Sequence, residues 1–203
     1  SFNFNGVMQM GWQITELAKE DIVKRKFIVI ASAAVVMAGF GVALGQATFH
    51  YPKIASHGKV VRLADAAAQP RAGSRICVDV TTDGPADAVN PGILKLARYV
   101  NIYGGAGAAP AEVRITAILH GKATMVALSD DAHASRLGTK GNPNLPLLRE
   151  LRDAGVELLV CGQSAAGLGI ASSEIAPEVQ TAVSALTANV NRQMDGYAYI
   201  PLH

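Results

Sequence analysis

The sequence predicts an α/β domain: a mainly parallel sheet with helices on both faces. Three observations predict it. Short apolar runs alternate with longer helical patterns from Arg75 to Pro201, the order that builds a parallel sheet from crossover units. Val156–Val160 is a short, mostly apolar run behind a helix-stopping Gly155, as suits a central strand buried on both faces. Asn90-Pro91 pairs a helix-capping asparagine with a proline at the first helical position.

The elements follow in order. Arg75–Thr82 reads as the first strand, with Cys77 packed mid-strand in Ile76-Cys77-Val78-Asp79-Val80. Thr82-Asp83-Gly84-Pro85 has turn chemistry. From Pro91 onward Ile93, Leu94, Leu96, Ala97 and Val100 recur at helical spacing, and the Gly104-Gly105-Ala106-Gly107 cluster ends that helix. The cluster follows a helix rather than a strand, so it lacks the context of a phosphate-binding loop. Glu112–Leu119 is the second strand, closed by His120-Gly121. Ala123–Leu137 is helical with a break near Ser129-Asp130-Asp131, and His133 reads as solvated. Asn142-Pro143-Asn144 is a rigid turn in which Asn144 caps a helix from Leu145 to Ala154. The third strand follows. Glu178–Val183 is a short fourth strand, Ser184–Met194 a helix, and Tyr197–Pro201 the last strand.

Cys161 falls where the third strand stops, before Gly162. Ligands and reacting groups gather at the carboxyl edge of open α/β sheets. A cysteine placed there, partly exposed and near the amino end of a short helix within Gln163–Gly169, is favoured as a thiolate by the helix dipole. The competing reading is a small apolar residue packed in the sheet. His120 shares the same edge, positioned to polarise or deprotonate that thiol, with a loop-bonding edge histidine as the alternative. A Cys77–Cys161 disulfide is disfavoured because one cysteine lies mid-strand and the other at a strand end. No spacing of His50, His57 or the other histidines resembles a metal site.

The domain accounts for only part of the 203 residues. Residues 27–45 carry no charge, follow Lys24-Arg25-Lys26, and end in Gly45-Gln46-Ala47, with small residues where a signal peptidase reads. The expectation is a signal peptide over 23–47; the alternative is a retained membrane anchor at the short end of the spanning range. Translation starting at Val23 would leave residues 1–22 as a leader that is not translated. Residues 48–73, with Phe49-His50-Tyr51-Pro52 and an Ala-rich stretch, read as an extended arm over the domain or a neighbouring subunit. The chain has a net charge of +2. Removing residues 1–47 takes away four basic and three acidic side chains and leaves a nearly neutral domain with no basic run. That balance argues against nucleic acid or an anionic membrane as the main partner.

Val160-Cys161-Gly162-Gln163, the Leu119-His120-Gly121 strand end, the Asn142-Pro143-Asn144 turn and the closing Asp195-Gly196-Tyr197-Ala198 together resemble the DsrE/DsrF-like family, and more narrowly its exported members. The likeness runs over about residues 49–202. It implies a three-layer α/β/α fold with a five-stranded sheet, assembly as a homo-oligomer (trimer or hexamer) or with sister subunits, and a persulfide carried on Cys161. Where many relatives place an arginine before the loop-closing glycine, this chain has Leu168 before Gly169.

The leading expectation is an exported, periplasmic sulfur-handling protein in which Cys161 accepts sulfane sulfur from a donor as a persulfide and passes it to the thiol of an acceptor partner. Gly162, Gln163 and Ser164 would bind the sulfur, His120 would shuttle a proton, and no metal or other cofactor would take part. The alternative is an exported oligomeric binding module with a structural cysteine. A dinucleotide enzyme is disfavoured because Asp83-Gly84-Pro85 stands after strand one in place of a Gly-rich loop.

Overall fold

The computed structural model describes residues 47–203. The leader over 1–22 and nearly all of the signal segment over 23–47 lie outside the described residues.

Five parallel strands form the sheet: β3 (Ser74–Val80), β4 (Val113–Leu119), β5 (Glu157–Cys161), β6 (Gln180–Ala182) and β7 (Ala198–Leu202). Their spatial order is β6-β5-β4-β3-β7. All four pairings are parallel, so the sheet is wholly rather than mainly parallel. The chain steps outward from β3 to β6 and then returns across the sheet to place β7 on the far side of β3.

That return decides the layers. Right-handed crossovers made in one direction lay their helices on one face, and a crossover in the opposite direction lays its helix on the other. The outward steps therefore put α1 (Pro91–Asn101) and α3 (Leu145–Asp153) on one face, and the return puts α5 (Ala185–Met194) on the other. Two shorter helices, α2 (Asp130–Leu137) and α4 (Gly162–Gly167), sit toward the carboxyl edge and share a small apolar cluster through Ala132 and Ala165.

The main core lies on the α1 face. Ile76, Val78 and Val80 of β3 and Ile115, Ala117 and Leu119 of β4 meet Ile93, Leu96 and Val100 of α1 and Leu147, Leu148 and Leu151 of α3. These apolar residues alternate along each strand, as the two-residue period requires. The residues between them face α5.

The helix ends follow the capping chemistry read from the sequence, with one change. Asn90 Oδ1 accepts from Gly92 N at 2.8 Å, and Ser184 caps α5 by accepting from Thr187 N at 3.0 Å. Asn144 does not cap α3. Its Oδ1 accepts from Asn90 N at 2.7 Å, while its own N and Nδ2 donate to Asn142 Oδ1. Asn142 Nδ2 in turn donates to the carbonyls of Val126 and Leu128. Three loops behind the carboxyl edge are thus tied together by buried amides, which costs less than leaving those backbone groups unpaired.

The arm over 48–73 contains a small antiparallel pair, β1 (Phe49–His50) with β2 (Val60–Val61), and packs on its own domain. Ile54 is fully buried in the main core. Asn101, buried at the end of α1, accepts from the N–H of Lys53 and Ile54 and donates to the carbonyls of Ile54, His57 and Gly58. Gly58 has φ +74°, and a Cβ there would stand 2.5 Å from Arg98 N, so the arm passes α1 too closely for a side chain. His133 is buried, not solvated: it is 2% exposed, its Nδ1 bonds Thr139 Oγ1 at 2.8 Å, and burial holds its pKa below the ordinary histidine value.

Candidate functional site

Cys161 ends β5 and caps α4, the arrangement of strand, cysteine and short helix anticipated from the sequence. Its surroundings are more closed than expected. The residue is 4% exposed rather than partly exposed, because α5 and the α4 turn close over it. Ser164 N donates to Cys161 Sγ at 3.4 Å. Burial raises the pKa of the thiol. The Ser164 hydroxyl and the backbone N–H groups of Ala185, Ser164 and Gln163 outweigh that effect and hold it below the ordinary value of 9.0. These donors come from two places in the chain, the first turn of α4 and the first residue of α5.

The neighbours of Cys161 have defined tasks. Gly162 has no room for a side chain, since a Cβ would stand 2.8 Å from Ala182 O where β6 passes. The Gln163 amide donates to Val183 O at 3.4 Å, so its side chain ties α4 to the end of β6 while its backbone N–H faces the sulfur. Ser164 Oγ accepts from Gly121 N at 3.4 Å, joining α4 to the loop after β4. Arg136 of α2 spreads its guanidinium over Glu174, at 2.7 and 2.8 Å, and the carbonyls of Leu168 and Gly169. A cation therefore does reach the loop whose arginine position is Leu168, but its donors are committed to that loop's backbone and to Glu174.

His120 also lies at this edge, although not against the thiol. Leu119 is opposite Val160 in the β4–β5 register, which sets His120 alongside Cys161 with the usual strand spacing of about 4.8 Å. Ile118 packs with Leu159 and Cys161, so His120, two residues on, shares their face. The ring, however, turns toward β3. Nε2 meets Asp79 Oδ1 at 2.7 Å, and Tyr199 OH donates to Asp79 Oδ2 at 2.6 Å. The expected direct action of His120 on the Cys161 thiol is therefore not the contact the structure makes.

Cys77 is mid-strand and buried, and its thiol donates to Asn189 Oδ1 at 3.3 Å. Burial and the nearby Asp79 push its pKa up to about 11. Both cysteines are free. Cys77 is level with Thr116, which is level with Glu157, so Cys161 stands four residues, roughly 13 Å, farther along the strands. No disulfide spans that separation.

A cavity of about 620 Å³ opens at the same edge, walled by Gly121, Lys122, Met125, Ser164 and Leu168. A larger hollow of about 990 Å³ sits at the opposite edge of the sheet, among Arg75, Glu112, Arg114 and Glu150, away from both Cys161 and His120. Among the described residues no three His, Cys, Asp or Glu side chains are grouped as metal ligands would be, and no helix is long and apolar enough to cross a membrane.

Sequence reasoning passed over Asp79, Tyr199 and Ala185. An acid one residue from the end of an apolar strand was a usable signal for Asp79. Ala185 acts through its backbone N–H, which no residue type announces.

A comparison with family models matches the DsrE/DsrF-like family over residues 76–202. The chain belongs to the DsrE/DsrF-like family. The match runs from β3 to the end of β7 and so includes every strand of the sheet and the Cys161 edge. Among solved structures, a protein of unknown function from Methanobacterium thermoautotrophicum, MTH1491, is similar at 21% identity and a TM-score of 0.47, over 64% of this chain and 99% of that one. Among curated proteins nothing matches.

Proposed function

We propose that this DsrE/DsrF-like protein carries sulfane sulfur on Cys161 as a persulfide and hands it to a partner thiol. The observation behind this reading is the placement of Cys161 Sγ at the head of α4, where Ser164 N donates to it at 3.4 Å and the neighbouring Ser164 hydroxyl and Ala185 and Gln163 N–H groups help to lower its pKa. Such donors favour a sulfur anion, which is both the attacking and the leaving form in sulfur exchange. In loading, the Cys161 thiolate attacks the outer sulfur of a donor persulfide; the donor S–S bond breaks and the donor leaves as thiolate. In transfer, an acceptor thiolate attacks the outer sulfur on Cys161, and Cys161 leaves as thiolate. Each step breaks one S–S bond and forms another, so no oxidant, metal or other cofactor is needed. Gly162 gives the close approach of β6, and the Gln163 and Ser164 N–H groups bind the sulfur. The cavity walled by Ser164, three residues beyond Cys161, offers a donor a docking place at the same sheet edge.

The same reading places the protein in the periplasm after removal of residues 23–47, working as a homo-oligomer. Its support for assembly is an apolar stripe on α5, where Leu186, Val190 and Met194 recur at a four-residue spacing and remain exposed.

Intact-mass spectrometry of protein from its native source, before and after a sulfane-sulfur donor and then reductant, tests the proposal. A reducible gain of one sulfur, absent in Cys161→Ser, supports it, and the same spectrum locates the mature amino terminus. A second reading, a binding module with a structural cysteine, is favoured by the 4% exposure of Cys161. A folded protein that takes up no sulfur would establish that reading instead.

A further inference from the structure

The Asp79–His120–Tyr199 group is not explained by packing. Asp79 is 5% exposed at the end of β3, in a strand whose other inner residues are apolar. A carboxylate in that place is costly unless its oxygens are hydrogen-bonded. Here each oxygen has one partner from a neighbouring strand: Tyr199 of β7 on Oδ2 and His120, just beyond β4, on Oδ1. A carboxylate only accepts, so the neutral imidazole carries its proton on Nε2 and presents Nδ1 as a lone pair. Among the described residues Nδ1 has no hydrogen-bond partner. The ring is partly open, with its side chain 27% exposed. It stands at the strand end beside Cys161, with the next residue, Gly121, bonded to Ser164.

We infer that Asp79, oriented by Tyr199, is a positioning residue that fixes His120 in the Nε2-protonated form so that Nδ1 takes the proton of the incoming acceptor thiol. The inference rests on the sulfur-transfer reading of Cys161. In the step, the acceptor S–H bond breaks and its proton goes to Nδ1. The resulting thiolate attacks the outer sulfur of the Cys161 persulfide. A new S–S bond forms on the acceptor, the old one breaks, and Cys161 leaves as thiolate. The imidazolium, stabilised by Asp79, then returns its proton to water. Electrons balance without a redox partner.

Two measurements test this. The first is the ring ¹⁵N spectrum of His120 in the full chain, which requires no sulfur chemistry. The Nε2-protonated tautomer is expected in the wild type and should be lost in Asp79→Asn, whose amide can donate as well as accept. An Nδ1-protonated ring in the wild type overturns the inference. The second is the rate at which persulfide-loaded protein transfers sulfur to a small-molecule thiol such as cysteine. Asp79→Asn and His120→Asn should each slow transfer on the order of 10²-fold. The double variant should be no slower than either single one, and Tyr199→Phe should have a smaller effect. Wild-type transfer by Asp79→Asn, or losses that multiply in the double variant, overturns it. If the wild type never loads sulfur, the proposed function fails, and the spectrum still shows whether Asp79 fixes the tautomer.

Discussion

The two faces of the sheet are built from the same five strands and do different things. On the α1 face, alternate residues are Ile, Val, Leu and Ala, and two long helices with a buried arm residue, Ile54, cover them. On the α5 face the intervening positions include Cys77, Asp79, Thr116, Glu157, Cys161 and Tyr199 beside the apolar Ile118 and Leu159, and one helix packs on that face with Ala185 and Ala188. That second face is full of paired polar groups: Thr116 and Arg192 both bond Glu157, Cys77 bonds Asn189, and Asp79 takes His120 and Tyr199. Fully parallel sheets usually bury apolar residues on both faces. Apolar packing and buried polar pairing are thus divided between the two sides of one sheet. The catalytic candidates all lie on the side with the thinner cover.

The comparison is broken most sharply by core truncation. Leu148→Ala, on the α1 face, should cost about 2–5 kcal/mol in denaturant unfolding. Leu159→Ala, packed against small alanines on the α5 face, should fall at or below the low end of that range. Equal losses would mean that the two faces contribute alike. A smaller effect separates the two cysteines on the α5 face. Alkylation of Cys161 should persist below pH 9.0, because hydrogen bonds hold its pKa down, whereas Cys77, raised to about 11, should stay unmodified in the folded protein. Rates followed by peptide mass spectrometry against pH check this, and equal labelling would remove the distinction. The smallest effect concerns the loop beyond α4. Arg136 and the Ala171 N–H hold Glu174 at a pKa of about 2, below its ordinary 4.5. A carboxyl with a depressed folded pKa stabilises fully above its unfolded value, and that contribution is lost as pH falls through the folded one. Amide protection factors in residues 168–175, referred to the intrinsic exchange rate at each pH, should therefore fall as pH drops from 4.5 toward 2, while β3 and β4 stay protected. Simultaneous loosening of loop and strands would show that the ion pair is not local.

The five sheet strands and the main helices between them were legible in the sequence in their order, whereas the β1–β2 pair of the arm was not. Asn90-Pro91 announced α1 because capping and proline geometry are local. Val156–Val160 announced β5 because a mostly apolar run between a glycine stop and a glycine turn has few other homes. Cys161 and His120 could be placed at one sheet edge because parallel strands all end on the same side. What those residues touch follows from the order in which the strands are laid into the sheet. The return crossover from β6 to β7 brought the N–H of Ala185 to the Cys161 sulfur and Tyr199 to Asp79, across 24 and 120 residues of chain. It also closed α5 over the thiol, turning an expected exposed cysteine into a buried one, and Asp79 drew His120 toward β3. Local sequence pattern encodes backbone conformation through propensity and period. The partners of a side chain depend on strand order and crossover direction, which no short stretch of sequence carries.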